Sequence, residues 1–403
     1  MFTALREDGT MLNLLTIQDK DSLQLIRRSS FFCPECEGKL LLKMGDKKTP
    51  HFAHENRHLC TGSGESESTY HLEGKMDLFK KVQALGLKPE LEPFYPEIKQ
   101  RADVGFCYKN IHYVIEFQCA IISAKHFIKR TEGYKKLNIT PIWILGFKNF
   151  KKWAPLKMKW SSFIFLFLNN YKEHFILTAY CPHQKRCYFH VNPHPITLSQ
   201  SFLTSFQLPL SQLEKWQDSI LAPNKWYITH WRESIHQQKN FHLHYLTKQN
   251  QLFLKEIYGL GLHPHFFPPF IGIPLLNGLL LETPPIFWQS YIFIDTFFST
   301  KKNKIYPLQK IYEVFHARII KGDIKLRLLP LLPSKDWKWA IKEYLQILIT
   351  LSILEEVKEG FYRLIKKIDM VNNYKAQGEI EKKFYDQLKS INLKGETICN
   401  DIL

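Results

Sequence analysis

The sequence RADVGFCYKNIHYVIEFQC, residues 101–119, decides the fold of the region around it. Two runs rich in β-branched and aromatic residues flank the dipeptide Lys109-Asn110, and this pattern predicts a hairpin closed by a two-residue turn. In that register Asp103 lies opposite Glu116 on one face of the hairpin, with the two Cβ atoms about 4.5–5.5 Å apart. A loop with an odd number of residues would instead send the two acids to opposite faces.

This pair of acids is the first candidate functional feature. Two opposed carboxylates repel by about 1 kcal/mol in water and by several times more when they are partly buried. A divalent cation held between Asp103 and Glu116 would remove the repulsion, and Mg²⁺ favours carboxylate and water oxygens as ligands. Alternation along the second strand places Gln118 on the face of Glu116. The alternative is a solvated sheet face whose acids pair with Arg101 and nearby lysines.

Length and charge limit the class of protein. A chain of 403 residues is expected to hold two or three domains, and its 45% of hydrophobic residues can fill their cores. The net charge of +17 calls for a polyanionic partner, and nucleic acid fits best because neutralised phosphates release counterions. A membrane surface is the alternative, but the basic residues are spread along the chain rather than gathered on one amphipathic helix.

Cysteine usage and apolar runs predict a cytoplasmic protein with reduced thiols and no membrane span. Eight cysteines in 403 residues are too few for a secreted disulfide framework. The first residues, MFTALREDGT, lack the charged-then-apolar layout of a signal peptide. The most apolar runs, such as Ile271–Leu281, contain Gly, Pro or Asn and are too short to cross a bilayer.

A second candidate site lies near the N-terminus, in FFCPECEGKLLLKMGDKKTPHFAHENRHLC. Cys33 and Cys36 have the spacing of a zinc knuckle, and a predicted hairpin then returns the chain with His51, His54 and Cys60. Tetrahedral Zn²⁺ needs four nitrogen or sulfur ligands, so two of the last three residues would complete the site. The alternative is a reduced thiol pair with ordinary surface histidines.

A helix is predicted over Glu65–Leu85, because apolar residues recur on one stripe and Gly86 ends the pattern. Glu67, His71 and Lys75 form a second, polar stripe at i, i+4 and i+8. A solvated face is the ordinary explanation of such a stripe.

The segment after the hairpin predicts a helix followed by a buried strand. Ala124–Leu137 has an apolar stripe and leaves Lys129 and Arg130, with Lys125, for phosphates. Thr140–Phe147 is a short, continuously apolar run, as expected of a strand buried on both faces. The order helix, hairpin, helix, strand predicts an α/β sandwich with a mixed sheet.

We therefore predict an α/β (α+β multidomain) protein with three parts. Residues 1–62 form a small β module with the zinc site, residues 63–150 an α/β domain, and residues 151–403 a mainly helical domain. In the last part, the helix predicted over Trp337–Lys358 carries aromatic residues that fit a core better than a base-stacking surface. Cys181 and Cys187, with His183 and His190, fit ordinary reduced cysteines better than a second metal site, because the cysteine spacing is not that of a knuckle.

The motifs resemble a known family. An Asp on one strand and Glu-x-Lys on the next is the core of the PD-(D/E)XK nuclease superfamily, matched here by Asp103 and Glu116-Phe117-Gln118 with Gln in the Lys position. Together with CPEC, HFAH, ESESTYHLEGK, RADV, IEFQ and KRTEGYKKLNITPIWILG, the stretch resembles the competence protein CoiA family over residues 1–150. The resemblance implies a nuclease-like domain behind a zinc-finger-like module.

The resemblance also implies site residues and partners. Glu67 would be a further acid of a site that binds Mg²⁺ or Mn²⁺, with His71 and Lys75 as secondary contributors. The implied role is in natural transformation, where single-stranded or branched DNA is recombined with the help of recombination proteins. Gln118 can orient a water but cannot act as a base.

Three functions remain open at this stage: a metal-dependent nuclease, a DNA-docking scaffold that keeps the nuclease fold without turnover, and a transcription-factor-like zinc protein. The acid pair disfavours the third, because specific reading of DNA does not need it. The candidate DNA-binding residues are His71, Lys75, Lys129 and Arg130.

Overall fold

The computed structural model describes residues 1–17, 19–45, 48–55, 68–150, 156–220, 227–244, 247–298, 304–332, 334–365, 368 and 370–391. The chain divides into two compact units. Unit 1 comprises residues 1–151, 177–189 and 206–219, and unit 2 comprises residues 152–176, 190–205 and 220–403. In the described part of the chain, no helix is long and apolar enough to cross a membrane.

The N-terminal part of unit 1 is a five-stranded sheet of order β2-β1-β3-β4-β5. Its elements are β1 Thr3–Arg6, β2 Met11–Asn13, α1 Lys20–Ile26, β3 Phe31–Phe32, β4 Lys39–Gly45 and β5 Lys48–His54. Gly9 has a φ of +78° in the first hairpin turn, as the Asp8-Gly9 dipeptide predicts. Asp19 caps α1 by accepting a hydrogen bond from the Ser22 amide. The hairpin predicted to carry His51 and His54 is confirmed, because β4 pairs antiparallel with β5.

The rest of unit 1 has helices packed against a mixed sheet. Its elements are α2 Thr69–Ala84, β6 Glu90–Leu91, β7 Phe94–Tyr95, β8 Gln100–Arg101, β9 Val104–Tyr108, β10 Ile111–Gln118, α3 Ala124–Lys136 and β11 Ile139–Gly146. β9 is antiparallel to β6 and to β10, and β10 is parallel to β11. Ser123 caps α3, as predicted for this helix. The predicted order of helix, hairpin, helix and buried strand is confirmed.

Residues 156–209 are richer in strands than the predicted helical domain. They form β12 Lys157–Lys159, α4 Ser162–Phe165, β13 Asn169–Tyr171, β14 His174–Cys181, β15 Arg186–Pro195 and β16 Gln200–Pro209. The residue types of Ser161–Asn169 and His174–Tyr180 predict two strands. The second is confirmed as β14, and the first is wrong, because Ser161 caps a short helix there.

The remainder of unit 2 is mainly helical. Its elements are α5 Tyr227–His244, α6 Lys248–Gly259, α7 Pro285–Ile292, β17 Ile305–Pro307, α8 Leu308–Lys321, α9 Lys338–Thr350, β18 Leu354–Lys358, β19 Phe361–Leu364 and α10 Tyr374–Ser390. Trp337 stacks on Phe315 with ring centroids 5.3 Å apart, and Tyr344 is buried. The aromatic stripe of this region therefore belongs to the core, as predicted. The helix ends at Thr350, so its predicted extension to Lys358 is wrong.

Candidate active site and metal-binding group

The β9–β10 hairpin has the predicted register. The paired residues run from Tyr108 with Ile111 to Val104 with Ile115. The turn Lys109-Asn110 has φ values of +48° and +62°, both left-handed. A two-residue type I′ turn requires this conformation at both positions, and Asn is among the residues that adopt it most readily. The turn therefore fixes the even loop length on which the predicted acid pair depends.

Asp103 lies one residue before the first strand of this ladder, where the pleat no longer dictates the direction of its side chain. Its Oδ2 accepts a hydrogen bond from the Phe117 amide at 2.8 Å and lies 3.1 Å from His71 Nε2. Its Oδ1 lies 3.3 Å from Lys75 Nζ. Both His71 and Lys75 belong to α2. Helix α2 therefore supplies two of the partners that hold this carboxylate.

Glu116 bonds to the other helix, α3. Its Oε1 accepts hydrogen bonds from the Arg130 guanidinium and the Tyr134 hydroxyl. Burial raises the pKa of Glu116, Arg130 opposes that rise, and the negative charge of Asp103 adds to it. The two carboxylates thus interact electrostatically, but they bond to different helices.

The approach of α2 to the sheet depends on a glycine. A Cβ atom built on Gly74 would lie 2.0 Å from Cε1 of Phe117, so only glycine allows this close packing. The helix begins at Thr69 with Ser68 as its N-cap. The predicted polar stripe of α2 faces the sheet rather than solvent, since Lys75 is buried and His71 contacts Asp103. Glu67, the predicted helical contributor, lies outside the described residues.

A buried carboxylate that the sequence did not reveal completes the surroundings of Lys75. Glu92 lies 2.6 Å from Lys75 Nζ and is fully enclosed. It also accepts hydrogen bonds from the Phe2 amide and from the amide and hydroxyl of Thr3, at 2.8–3.0 Å. Glu92 sits in a proline-containing connector with no periodic signal, so only the requirement that a buried lysine have a counter-ion could have pointed to it.

Two residues predicted to face DNA lie inside the protein instead. Lys75 has a side chain only 1% exposed, and Arg130 is committed to Glu116 and to the carbonyl of Arg101 at 3.0 Å. The pKa of Arg130 is raised by Glu116, which more than offsets the effect of burial. Lys129, in contrast, is exposed on α3.

Gln118 lies two residues beyond Glu116 at the end of β10. Its side-chain amide nitrogen donates to the Ala120 carbonyl at 2.8 Å, which fixes the orientation of the side chain. The carboxamide oxygen is then the atom that can accept a hydrogen bond from a water. Gln118 is half-buried, unlike Glu116.

A candidate metal-binding group, called the metal-binding group below, is formed by Cys33, Cys36 and His54, whose ligand atoms all lie within 4.8 Å of one another. Within the ranges that the structure describes, it is the one group of three or more such side chains at this spacing. Cys36 Sγ lies 3.4 Å from His54 Nε2. Burial lowers the pKa of His54, which favours the neutral imidazole that binds metals.

Strand geometry separates the two histidines of HFAH. His51 and His54 are three residues apart on β5, and successive side chains of a strand point to opposite faces. His51 pairs across from Lys43, and its Nδ1 contacts the Thr49 carbonyl at 2.9 Å. His54 is therefore the histidine of the metal-binding group. Cys60 lies outside the described residues.

The comparisons with known proteins match this architecture part by part. Three family models match: the competence protein CoiA N-terminal domain over residues 15–63, its nuclease-like domain over residues 67–225 and its C-terminal domain over residues 224–387. The competence protein CoiA of Bacillus subtilis (strain 168) is 28% identical over 359 residues, which are 88% of this chain and 94% of that protein. The chain belongs to the competence protein CoiA family.

The CoiA domain matches place both candidate sites in named domains. Cys33, Cys36 and His54 fall in the CoiA N-terminal domain, and Asp103 and Glu116 fall in the CoiA nuclease-like domain. The nuclease-like match runs to residue 225, past the boundary predicted at residue 150. No solved structure matches the chain.

The second cysteine segment of the CoiA nuclease-like domain is largely buried. Cys181 and Cys187 are buried free thiols, and burial raises the pKa of Cys187 to about 12. His190 is fully buried, and its Nδ1 lies 2.8 Å from the Ser205 hydroxyl. These side chains do not form a metal-binding group among the described residues.

Proposed function

We propose that this chain is a metal-dependent DNA phosphodiesterase of natural competence, which acts on single-stranded or branched DNA. Asp103 and Glu116 are the acids that hold the metal ion. The observation that carries the proposal is the position of Lys75, whose Nζ lies 3.3 Å from Asp103 Oδ1. The motif IEFQ has Gln118 at the position where the superfamily has Lys. Helix α2 supplies a cation instead, because its Lys75 lies beside Asp103.

The residues fit a hard divalent cation. Mg²⁺ commonly binds through one or two carboxylates and keeps several waters, and Mn²⁺ takes similar ligands. Glu116 Oε2 has no hydrogen-bond partner among the residues that the structure describes. Asp103 and Glu116 interact electrostatically, and a divalent cation between them would relieve the repulsion that raises the pKa of Glu116. Mg²⁺ or Mn²⁺, when bound, would polarise the phosphate and lower the pKa of a water.

The protein side chains have separate tasks in this reaction. Lys75 lies between the carboxylates of Glu92 and Asp103, and its ammonium group offsets negative charge beside Asp103. His71 Nε2 lies 3.1 Å from Asp103 Oδ2, so the imidazole helps to orient this carboxylate. Gln118 presents its carboxamide oxygen to a water, because its nitrogen is bonded to Ala120. Lys129 is exposed and available to a DNA phosphate.

The N-terminal group is proposed as a structural Zn²⁺ site. Two thiolates and one imidazole are ligands that Zn²⁺ prefers, and four-coordinate structural sites of this composition are common. Cys60 is the candidate fourth ligand. The small module would then depend on the metal for its folding.

A non-catalytic DNA-docking scaffold is the second candidate, and one observation favours it. Both oxygens of Asp103 and one oxygen of Glu116 already bond to protein groups, and both residues are at most 9% exposed. Such a scaffold would bring DNA to recombination proteins without cutting it.

Cleavage assays decide between these candidates. Single-stranded, duplex and branched DNA are incubated with Mg²⁺ or Mn²⁺ and the wild type, Asp103→Asn, Glu116→Gln or Glu132→Gln. Glu132 is an exposed acid on α3 and serves as the matched control. We expect metal-dependent cleavage that falls at least about 100-fold in the two site variants and not in the control, since metal ligation is worth several kcal/mol in the transition state.

DNA affinity is measured beside cleavage, because the two candidates agree on binding and differ on turnover. The site variants should keep nearly wild-type affinity, since the exposed lysines that contact phosphates lie elsewhere. Wild-type protein that binds DNA but cuts no substrate with either metal would overturn the phosphodiesterase and leave the scaffold.

A further inference from the structure

Unit 2 contains a cavity of about 670 Å³ whose lining is rich in lysine. The volume falls within the roughly 300–1,000 Å³ typical of ligand-binding pockets. The cavity lies where the side chains of α6 meet those of α7 and the C-terminal end of α8. Its lining residues are Lys248, Gln249, Leu252, Lys255, Glu256, Tyr291, Lys321, Gly322, Asp323 and Lys325.

The acids of this lining are neutralised from behind by one arginine. Arg318 bonds to both oxygens of Glu256, to both oxygens of Asp295 and to Asp323, at 2.5–2.9 Å. Its guanidinium also lies over the ring of Tyr291, 4.3 Å from the centroid. The carboxylates therefore point toward Arg318 and are satisfied there.

Three of the four lysines of the lining are left for another partner. Lys321 lies 3.2 Å from Asp323, whereas Lys248, Lys255 and Lys325 have no ion-pair partner within the described ranges. All four are exposed. Counted together with Arg318, Glu256, Asp295 and Asp323, the cluster carries five positive and three negative charges, a net +2. Such an excess attracts an anion to the cavity.

A buried phenol adds a directional donor to these charges. Tyr291 is only 4% exposed, it lines the cavity, and its hydroxyl has no hydrogen-bond partner among the described residues. Burial raises the pKa of Tyr291, and the nearby carboxylate of Asp323 adds to the rise, so the phenol stays protonated and can donate. Lysines at the rim and a hydroxyl donor inside match a phosphate group, which offers several acceptor oxygens.

We propose that this cavity binds the phosphodiester backbone of single-stranded DNA. A single strand can bend a nucleotide into a concave pocket, whereas a duplex presents its phosphates on a wide convex surface. Leu252 is 60% exposed on the lining and offers apolar contact to a base beside the lysines. The inference rests on the proposed action on DNA, but it places strand binding in unit 2 and leaves the chemistry to unit 1.

The test compares two full-length variants with equal loss of charge. The cavity variant carries Lys248→Gln, Lys255→Gln and Lys325→Gln. The control variant carries the same substitution at three exposed lysines of α9 and α10 that do not line the cavity, Lys342, Lys382 and Lys383. Affinity for a fluorescent single-stranded oligonucleotide is measured by anisotropy between 0.05 and 0.3 M salt, in parallel with a duplex and with inorganic phosphate as competitor.

The expected result follows from counterion release. Each lost phosphate contact on single-stranded DNA removes about 0.7 from the slope of log affinity against log salt, so three lysines remove about 2. That change amounts to a loss of about 50-fold at 0.15 M salt. The control variant should keep the wild-type slope, and duplex binding should change less than single-strand binding. Tyr291→Phe should weaken single-strand binding without changing the salt slope.

Two results would overturn the inference: cavity and control variants that weaken equally, or a cavity variant that binds single strands like wild type. The outcome is separable from that of the proposed phosphodiesterase. A protein that binds single strands through the cavity but cuts no DNA refutes only the phosphodiesterase. A protein that cuts DNA with an unchanged cavity variant refutes only the cavity site.

Discussion

The buried pair Lys75–Glu92 predicts a large and specific loss of stability when one partner is removed. Nζ of Lys75 lies 2.6 Å from Glu92 Oε1, and the two side chains are 1% and 0% exposed. Lys75→Met removes the cation that lies against Glu92 and Asp103 but keeps both buried acids. Breaking a buried pair in this way costs about 3–5 kcal/mol, several times the cost of an exposed pair.

Glu92→Gln should be destabilising for a different reason. The Glu92 carboxylate accepts hydrogen bonds from four donors of the described residues: the amides of Phe2 and Thr3, the Thr3 hydroxyl and Lys75. A glutamine turns its NH₂ group toward one of these donors and loses that hydrogen bond. The double variant Lys75→Met/Glu92→Gln removes both charges, so its loss should be smaller than the sum of the single losses, by up to about 3 kcal/mol.

Hydrogen exchange is the suitable assay, because it reports opening free energies region by region in a protein with two units. Amides of α2 and β9 should lose protection in Lys75→Met, whereas unit 2 should not change. Lys80→Met, at an exposed lysine on the same helix, is the control and should lie within about 0.5 kcal/mol of wild type. If Lys75→Met costs no more than Lys80→Met, or if the double variant is strictly additive, the buried ion pair does not hold α2 on the sheet.

Three further predictions concern other parts of the chain. His54→Ala should lower the zinc content of purified protein from one ion per chain toward zero while His51→Ala keeps it, as metal analysis would show; loss in both variants would contradict the strand geometry. Gly74→Ala should destabilise unit 1 by about 1–3 kcal/mol because the new methyl overlaps the Phe117 ring, and Phe117→Leu should recover part of that loss in a denaturation experiment. His190 has a folded pKa of about 3 because of burial, against about 6.5 unfolded, so the stability it contributes is complete above pH 6.5 and falls on acidification. Between pH 6.5 and pH 5 wild type should lose about 2 kcal/mol more than His190→Asn in denaturation experiments, and equal losses would show that the imidazole is not buried neutral.

The sequence predicted those features that depend on neighbouring residues. The Lys109-Asn110 turn set the register of the β9–β10 hairpin, and Ser123 set the start of α3, because turn and cap preferences act over a few residues. The alternation of side chains along β5 also decides that only one histidine of HFAH can lie beside the two cysteines. A helix can bring two histidines of close spacing to one side, but on a strand His51 and His54 point apart.

The parts of the site that the sequence did not predict depend on contacts between distant segments. Glu92 meets Phe2 across 90 positions, and nothing in the local pattern marks either residue. Arg130 has the appearance of a surface cation on an amphipathic helix, yet it turns inward because Glu116 is buried and needs a counter-charge. Packing decides which base a buried acid pairs with. Periodicity therefore predicted helix α3 correctly but not the pairing of Arg130 with Glu116.

The same long-range contacts join the N-terminal module to the candidate active site within unit 1. Phe2 and Thr3 donate to Glu92, which holds the lysine that contacts Asp103. Glu35, between the two cysteines of the metal-binding group, lies 3.1 Å from Nε of Arg101, with both side chains at most 7% exposed. These contacts are buried, so water cannot replace a partner that is lost. We therefore expect a change in the metal-binding loop to alter the sheet that carries the acids. The module therefore acts as part of the scaffold of the site, so that the metal-binding loop and the acid pair are expected to fail together.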